Sequence, residues 1–258
     1  MTWQSDLGRL LFAMALLAFA LQHLGFATGI ALPAPGPPWV VGPLAPAYLM
    51  ALALLAGSAA LVFRFRTMVA AATLGLVFVI YGLAAYLPGI VRDVHAPAGW
   101  ASGAELLSLG GVLLVISAGS SPGMGENSRW APTLRRGGRS LYAVPLLVFA
   151  AQHFIYAKFI AGLVPAWIPG HLFWAYLVGV GFIAASAAIV TGRLAWWAAS
   201  LLGIQFLTWV VVLHLPRALA AHGSGKEWTS LFVAMAMGGG AWAIAGATGG
   251  MVNETIID

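Results

Sequence analysis

Apolar residues along this chain come in long runs and not in alternation. Eight runs of about 18–22 residues, the length that spans a hydrocarbon layer, cover Gly8–Thr28, Leu44–Phe63, Met68–Leu87, Ala101–Ala118, Leu141–Lys158, His171–Thr191, Leu194–Leu215 and Trp228–Ala247. They are too long for strands of a membrane barrel, and Ala and Leu are abundant in them. In lipid every backbone N–H and C=O has to be satisfied internally, which a helix does within one segment. The pattern predicts an all-α polytopic membrane protein with eight transmembrane helices, surrounded by the lipid bilayer.

The runs are related to one another. Offset by 130 positions, residues 8–27 match 138–157 at 11 of 20 places, including Gly8/Gly138, Arg9/Arg139, Gln22/Gln152 and His23/His153. Offset by 128, residues 39–63 match 167–191 at 11 of 25, including Trp39/Trp167, Tyr48/Tyr176 and Ser58/Ser186. The same offset aligns Leu87-Pro88 with Leu215-Pro216, Trp100 with Trp228, and Gly110-Gly111 with Gly238-Gly239. An internal repeat therefore divides the chain into a first four-helix unit (1–118), a linker (119–137) and a second four-helix unit (138–258). Four spans is an even number, so both units are expected to run parallel, related by a two-fold axis along the membrane normal. The seam "SAGSSPGMGENSRWAPTLRRGGRS" is rich in Gly, Ser, Pro and charge, and reads as solvated linker. A proline-containing loop follows the first helix of each unit, "LPAPGPPWVVGP" and "VPAWIPGH".

Composition agrees with the hydropathy. The chain is 61% hydrophobic and 7% charged, against roughly 25% charged in soluble domains. It has no cysteine, which excludes disulfides, thiolate-held iron–sulfur clusters and C-x-x-C-H haem attachment. The net charge of +5 sits in short loops, where it orients helices and is no sign of nucleic-acid binding. Eight arginines (Arg9, Arg64, Arg66, Arg129, Arg135, Arg136, Arg139, Arg193) fall on the side of the N-terminus, and four cations (Arg92, Lys158, Arg217, Lys226) on the other. The positive-inside rule then places both termini in the cytoplasm.

On that topology all six histidines fall in the outer half. His23 and His153 lie near the outer ends of the first and fifth helices, His171 opens the sixth, and His214 closes the seventh. His95 and His222 are in outer loops, and Glu105 joins this side. The second unit is the more polar and aromatic: His171 stands for Pro43, His214 for Tyr86, Trp174 for Pro46 and Gln205 for Val77. Ionisable residues inside a membrane are candidates for function. The expected binding set is thus His153, Tyr156, His171, His214, Gln152, Trp174, His23 and Glu105. Helical spacing puts Gln152, His153 and Tyr156 on one broad face. Two readings stand for the Gln-His pairs: a ligand site, or hydrogen bonds that tie the halves together near the pseudo-axis. On the seventh helix Gln205, Thr208 and Trp209 cluster while His214 falls on another face. Trp174 and Tyr176 are expected as aromatic walls, and Glu105 as a partner of Arg92 or a histidine, or as a residue that lines water. No within-helix spacing of ligand residues marks a metal site, so metal ranks low. Haem, through His23 with His153, ranks below a quinone. The Gly-Gly runs point to close helix packing.

The stretches "GRLLFAMALLAFALQH" and "VPAWIPGHLFWAYLVGVGFIAASAAIV…RLAWWAASLLGIQFLTWVVVLHLPRAL…EWTSLFVAMAMGGGA" resemble the DoxX-like family of bacterial membrane proteins, here with the unit doubled. The resemblance implies a four-helix membrane fold per unit. Relatives include subunits of a thiosulfate:quinone oxidoreductase and proteins linked to oxidative-stress handling. A Glu often follows "SLF" in the last helix of the family; this chain has Val233 there. The expectation is a membrane redox component that binds a quinone or similar lipid-soluble molecule facing the periplasm, with other membrane or periplasmic redox subunits as partners. The alternative is a non-catalytic binding or assembly subunit of a larger membrane complex, and a small-molecule transporter comes last. The residues carry no catalytic signature, so they leave open whether the chain is an enzyme.

Overall fold

The computed structural model describes residues 2–27, 44–120, 130–221 and 224–249, and among these there is helix and no strand. Residues 1–118, the expected first unit, hold α1 (Trp3–Ala27), α2 (Leu44–Phe63), α3 (Thr67–Arg92) and the greater part of α4 (Pro97–Gly119). Proline at the first position suits the start of α4, where a missing N–H is harmless. The second unit contributes α5 (Ala131–Ala143), α6 (Leu146–Ile155), α7 (Ala157–Ala161), α8 (His171–Thr191) and α9 (Ala195–Trp209). A π-helical turn (Val210–His214), α10 (Leu215–Ala220) and α11 (Gly225–Gly249) complete it. Seven of the described helical stretches are long and apolar enough to cross a membrane.

Two sequence expectations need correction. The run Leu141–Lys158 is not one helix but is divided among α5, α6 and α7. Pro145 lacks the N–H that a continuous helix would donate to the Leu141 carbonyl; the matching position of the unbroken α1 is Ala15. Val144 and Pro145 keep right-handed helical angles (φ −60, ψ −43 and φ −60, ψ −20), so α5 and α6 form an interrupted rod and not a reversal. The segment 119–137 is also not wholly linker, because α5 begins at Ala131. The proline loop before α2, with Trp39, Gly42 and Pro43, lies outside the described residues, as do Arg129 and His222.

Helix ends meet in two groups. At one end Gln4 on α1 donates to Ser200 on α9 (2.7 Å), Trp196 donates to Gln4 (2.9 Å), and Ser117 on α4 donates to Met68 on α3 (2.9 Å). The Arg9 guanidinium binds the Leu61 carbonyl in the last turn of α2 at this same end, where a cation offsets the exposed carbonyls. At the other end the last turns of α1 and α6 meet the first turns of α11 and α4, as detailed below.

Through the centre, α1 packs on α11, α4 on α5, and α4 on α11. Glycine makes the first two possible. A Cβ on Gly239 of α11 would sit 2.8 Å from the Gly8 carbonyl oxygen of α1, and one on Gly138 of α5 would sit 2.6 Å from the Gly111 carbonyl oxygen of α4. The backbones therefore touch directly. Gly8 and Gly138 are a matched pair in the sequence repeat, and so are Gly111 and Gly239. The loops after α2 and α8 share a further feature. Arg64 and Arg66 take φ of 55 and 49, and the matching Gly192 and Leu194 take 79 and 57. The core between the halves is sealed by fully buried Tyr142, whose hydroxyl donates to the Met237 carbonyl at 2.9 Å.

Candidate functional site

The doubled Gln-His pair splits into two roles. Gln22 Nε2 donates to Thr229 Oγ1 at 3.0 Å and reaches the Gly225 carbonyl at 3.5 Å. Gln152 Nε2 donates to the Pro97 carbonyl at 2.8 Å. Pro97 and Gly225 are themselves matched positions of the repeat. Gln22 thus ties the end of α1 to the start of α11, and Gln152 ties the end of α6 to the start of α4. Gln152 is engaged in this tie and does not line the cavity described next.

Each histidine instead turns back on its own helix. His23 Nδ1 lies 2.8 Å from the Phe19 carbonyl, and His153 Nδ1 lies 2.8 Å from the Phe149 carbonyl. A carbonyl only accepts, so Nδ1 carries the proton in both and Nε2 is left for another partner. The His153 ring stands edge-on to Phe182, with centroids 5.2 Å apart. Its backbone neighbour Gly179 leaves room for the contact, since a Cβ there would meet the His153 Cβ at 3.1 Å.

His153 lines a cavity of about 230 Å³ in the second unit. Gln205 and His214 supply its other polar groups, and Trp174, Phe182, Phe206 and Trp209 form aromatic walls. Trp174 is held by its Nε1 donating to the Pro169 carbonyl at 3.1 Å, and meets Trp209 edge-on at 6.3 Å. The Gln205 amide nitrogen is buried with no hydrogen-bond partner. His214 also makes no hydrogen bond among the described residues. Just beyond it, Arg217 clasps Glu227 through two hydrogen bonds of 3.1 and 3.0 Å.

The π turn brings these groups together. Gln205 and His214 are nine residues apart, roughly two and a half turns of α-helix, so a regular helix would set them on opposite faces. In the turn Val210–His214 the Leu215 N–H reaches back five residues to the Val210 carbonyl. The wider turn holds about one extra residue and swings His214 toward the side of Gln205. The sequence expectation that His214 stands apart from Gln205 and Trp209 is therefore wrong. Proline alone is not the cause: Pro88 occupies the matching place in α3, which stays α-helical throughout. Thr208, expected in the same cluster, is exposed.

Other expected residues lie elsewhere. Tyr156 caps α6, is 36% exposed and lies outside the cavity lining, as does His171 at the start of α8. Tyr176 is no cavity wall but stacks on Phe154 with ring centroids 5.9 Å apart, on an exposed face. His23 belongs to α1, which packs on α2 and α11, whereas His153 belongs to α6, which packs on α8 and α4. Glu105 is half-buried on α4 and forms no ion pair among the described residues; the expected partner Arg92 is exposed. No group of three potential metal ligands occurs among the described residues.

Phe182, Phe206 and Ala234 were missed by sequence reasoning. A signal for the last existed in the repeat: Ala234 stands where the first unit has Leu106. Leu106 is partly buried against the core, and its Cβ would lie 3.1 Å from a Cβ on Gly82. The smaller alanine leaves space in the second unit. Comparison with protein-family models, curated proteins and solved structures finds no match to this chain.

Proposed function

We propose that this chain is a DoxX-like membrane redox component that binds a quinone, or a similarly flat lipid-soluble ring, in the cavity of its second unit. It lies in a bacterial inner membrane with both termini cytoplasmic, crossing eight times if α5–α7 together count as one span. Its two parallel four-helix units are supported by the matched glycine contacts, the matched left-handed loop residues and the reciprocal glutamine ties. The cavity then opens toward the periplasmic half.

One observation carries the ligand assignment: an aromatic-walled cavity inside an apolar helix bundle is lined by Gln205, whose buried amide N–H has nothing to donate to. A buried unsatisfied donor costs about 1–3 kcal/mol, and a ring carbonyl would satisfy it. The cavity, at about 230 Å³, is smaller than the roughly 300–1,000 Å³ of drug-sized sites. It admits one ring and leaves a long tail among lipid chains. A quinone, when bound, supplies two-electron, two-proton redox chemistry. Gln205 Nε2 donates to one ring oxygen and orients it. His153 Nε2 and the His214 ring hold or release protons near the ring's oxygens, as imidazoles do close to neutral pH. Trp174 and Trp209 exclude water and pack on the ring's faces and edge.

Organic extraction of purified protein, followed by chromatography, tests the reading. Wild type should carry quinone, and His153→Ala and Gln205→Leu should carry little. If wild type neither retains quinone nor takes it up when it is added, the ligand assignment is wrong. Co-purifying membrane subunits in that case would mark the chain as an assembly subunit.

A further inference from the structure

The two units treat their first arginine differently. In the first, Arg9 shares a carboxylate: its guanidinium binds the Leu61 carbonyl and approaches Asp6 at 3.8 Å, and Asp6 is also paired with Arg64. In the second unit the counterpart of Arg9 is Arg139, and the counterpart of Asp6 is Arg136. The carboxylate has been exchanged for a third cation. Arg135, Arg136 and Arg139 lie on one side of α5, at spacings of three and four residues that bring side chains together. The Arg139 guanidinium reaches the loop after α8, where a Cβ on Gly192 would meet its Nη2 at 3.6 Å. Arg193 follows in that loop and is exposed.

No acidic side chain pairs with any of these four arginines among the described residues. The Arg139 guanidinium makes no hydrogen bond at all there, and its Nε is buried. Guanidinium groups on one helix side repel one another unless an anion sits among them. Their planar donor forks match phosphate oxygens. The cluster stands at the end of the bundle where α8 stops and α9 starts, which is the level of lipid headgroups if these helices cross the membrane. Basic pockets between transmembrane helices at this level suit anionic headgroups.

We infer that Arg135, Arg136, Arg139 and Arg193 form a binding site for the headgroup phosphate of an anionic phospholipid, which takes the place Asp6 fills in the first unit. The ligand chemistry is a phosphate anion, and its source is the inner leaflet. The site is separate from the cavity, and its test does not depend on quinone.

Full-length protein in neutral detergent, mixed with dioleoylphosphatidylglycerol or dioleoylphosphatidylcholine, is read by native mass spectrometry. Wild type and Arg64→Gln, altered only in the self-paired cluster, should both retain phosphatidylglycerol over phosphatidylcholine. Arg136→Asp restores the first unit's carboxylate and should weaken that retention by roughly tenfold or more, given about 1 kcal/mol per cation at a membrane surface. Arg193→Gln, at an exposed loop position, gives the same direction and decides the matter if Arg136→Asp does not fold. Equal retention by wild type and both cluster variants overturns the site. Displacement of phosphatidylglycerol by millimolar inorganic phosphate overturns the lipid source and assigns the cluster to soluble phosphate.

Discussion

Gln152 on α6 donates a 2.8 Å hydrogen bond to the backbone carbonyl of Pro97 at the start of α4. The amide joins the two halves of the molecule at one end, and Gln22 does the same with Gly225 and Thr229. Substituting either glutamine by alanine should lower stability by about 0.5–2 kcal/mol, read as the midpoint shift in detergent-titrated unfolding. Quinone retention should not change in Gln152→Ala. A loss of ligand without loss of stability would show that Gln152 works in the site and not in the tie.

Filling the cavity tests it without removing a polar group. Ala234→Leu copies the residue that the first unit carries at the matching position, Leu106. The variant should stay folded with an unfolding midpoint equal to wild type or higher, and should lose added-quinone binding at least tenfold. Unchanged binding would place the ligand elsewhere.

Gln205→Leu sets stability against binding. Removing a buried amide that has no partner should raise stability of the ligand-free protein by about 1–3 kcal/mol. The same change should abolish retention of quinone. A destabilised variant would mean that the amide has a partner in the ligand-free protein, such as a bound water.

The π turn predicts the effect of a deletion. Removing Val211, whose side chain is exposed, takes out the extra residue and lets Val210–His214 close into regular α-helix, with His214 about 80° from Gln205 in helical phase and so still on its side. Helix content by circular dichroism should hold and ligand binding should survive. If binding falls, the π turn does more than set the phase of His214.

Much of the architecture was readable in the hydropathy because bilayer thickness sets helix length. Six of the eight runs became helices within a few residues of their expected bounds. The fifth failed because its run of apolar residues hid Pro145, and hydropathy does not register a missing N–H. The seventh failed at its end for a subtler reason. Helical phase assumed from 3.6 residues per turn misplaces every residue beyond a π turn, so His214 was separated from Gln205 and Trp209. Trp174, His153 and His214 were legible as one-sided polarity in the second unit. Phe182, Phe206 and Ala234 were not, since an apolar residue facing a cavity looks like one facing a neighbour. Tyr176 went wrong because an aromatic near a site and one facing lipid have the same signature.

The glycine seams restrict how the molecule can move. Where the backbones of α1 and α11, and of α4 and α5, lie in direct contact, neither half can rock against the other without tearing open both lines at once and uncovering Tyr142. A see-saw of the kind carriers use would have to break both seams. A guest of the proposed cavity would have to arrive sideways, by parting side chains between helices, and its arrival rate should then follow the fluidity of the surrounding acyl chains.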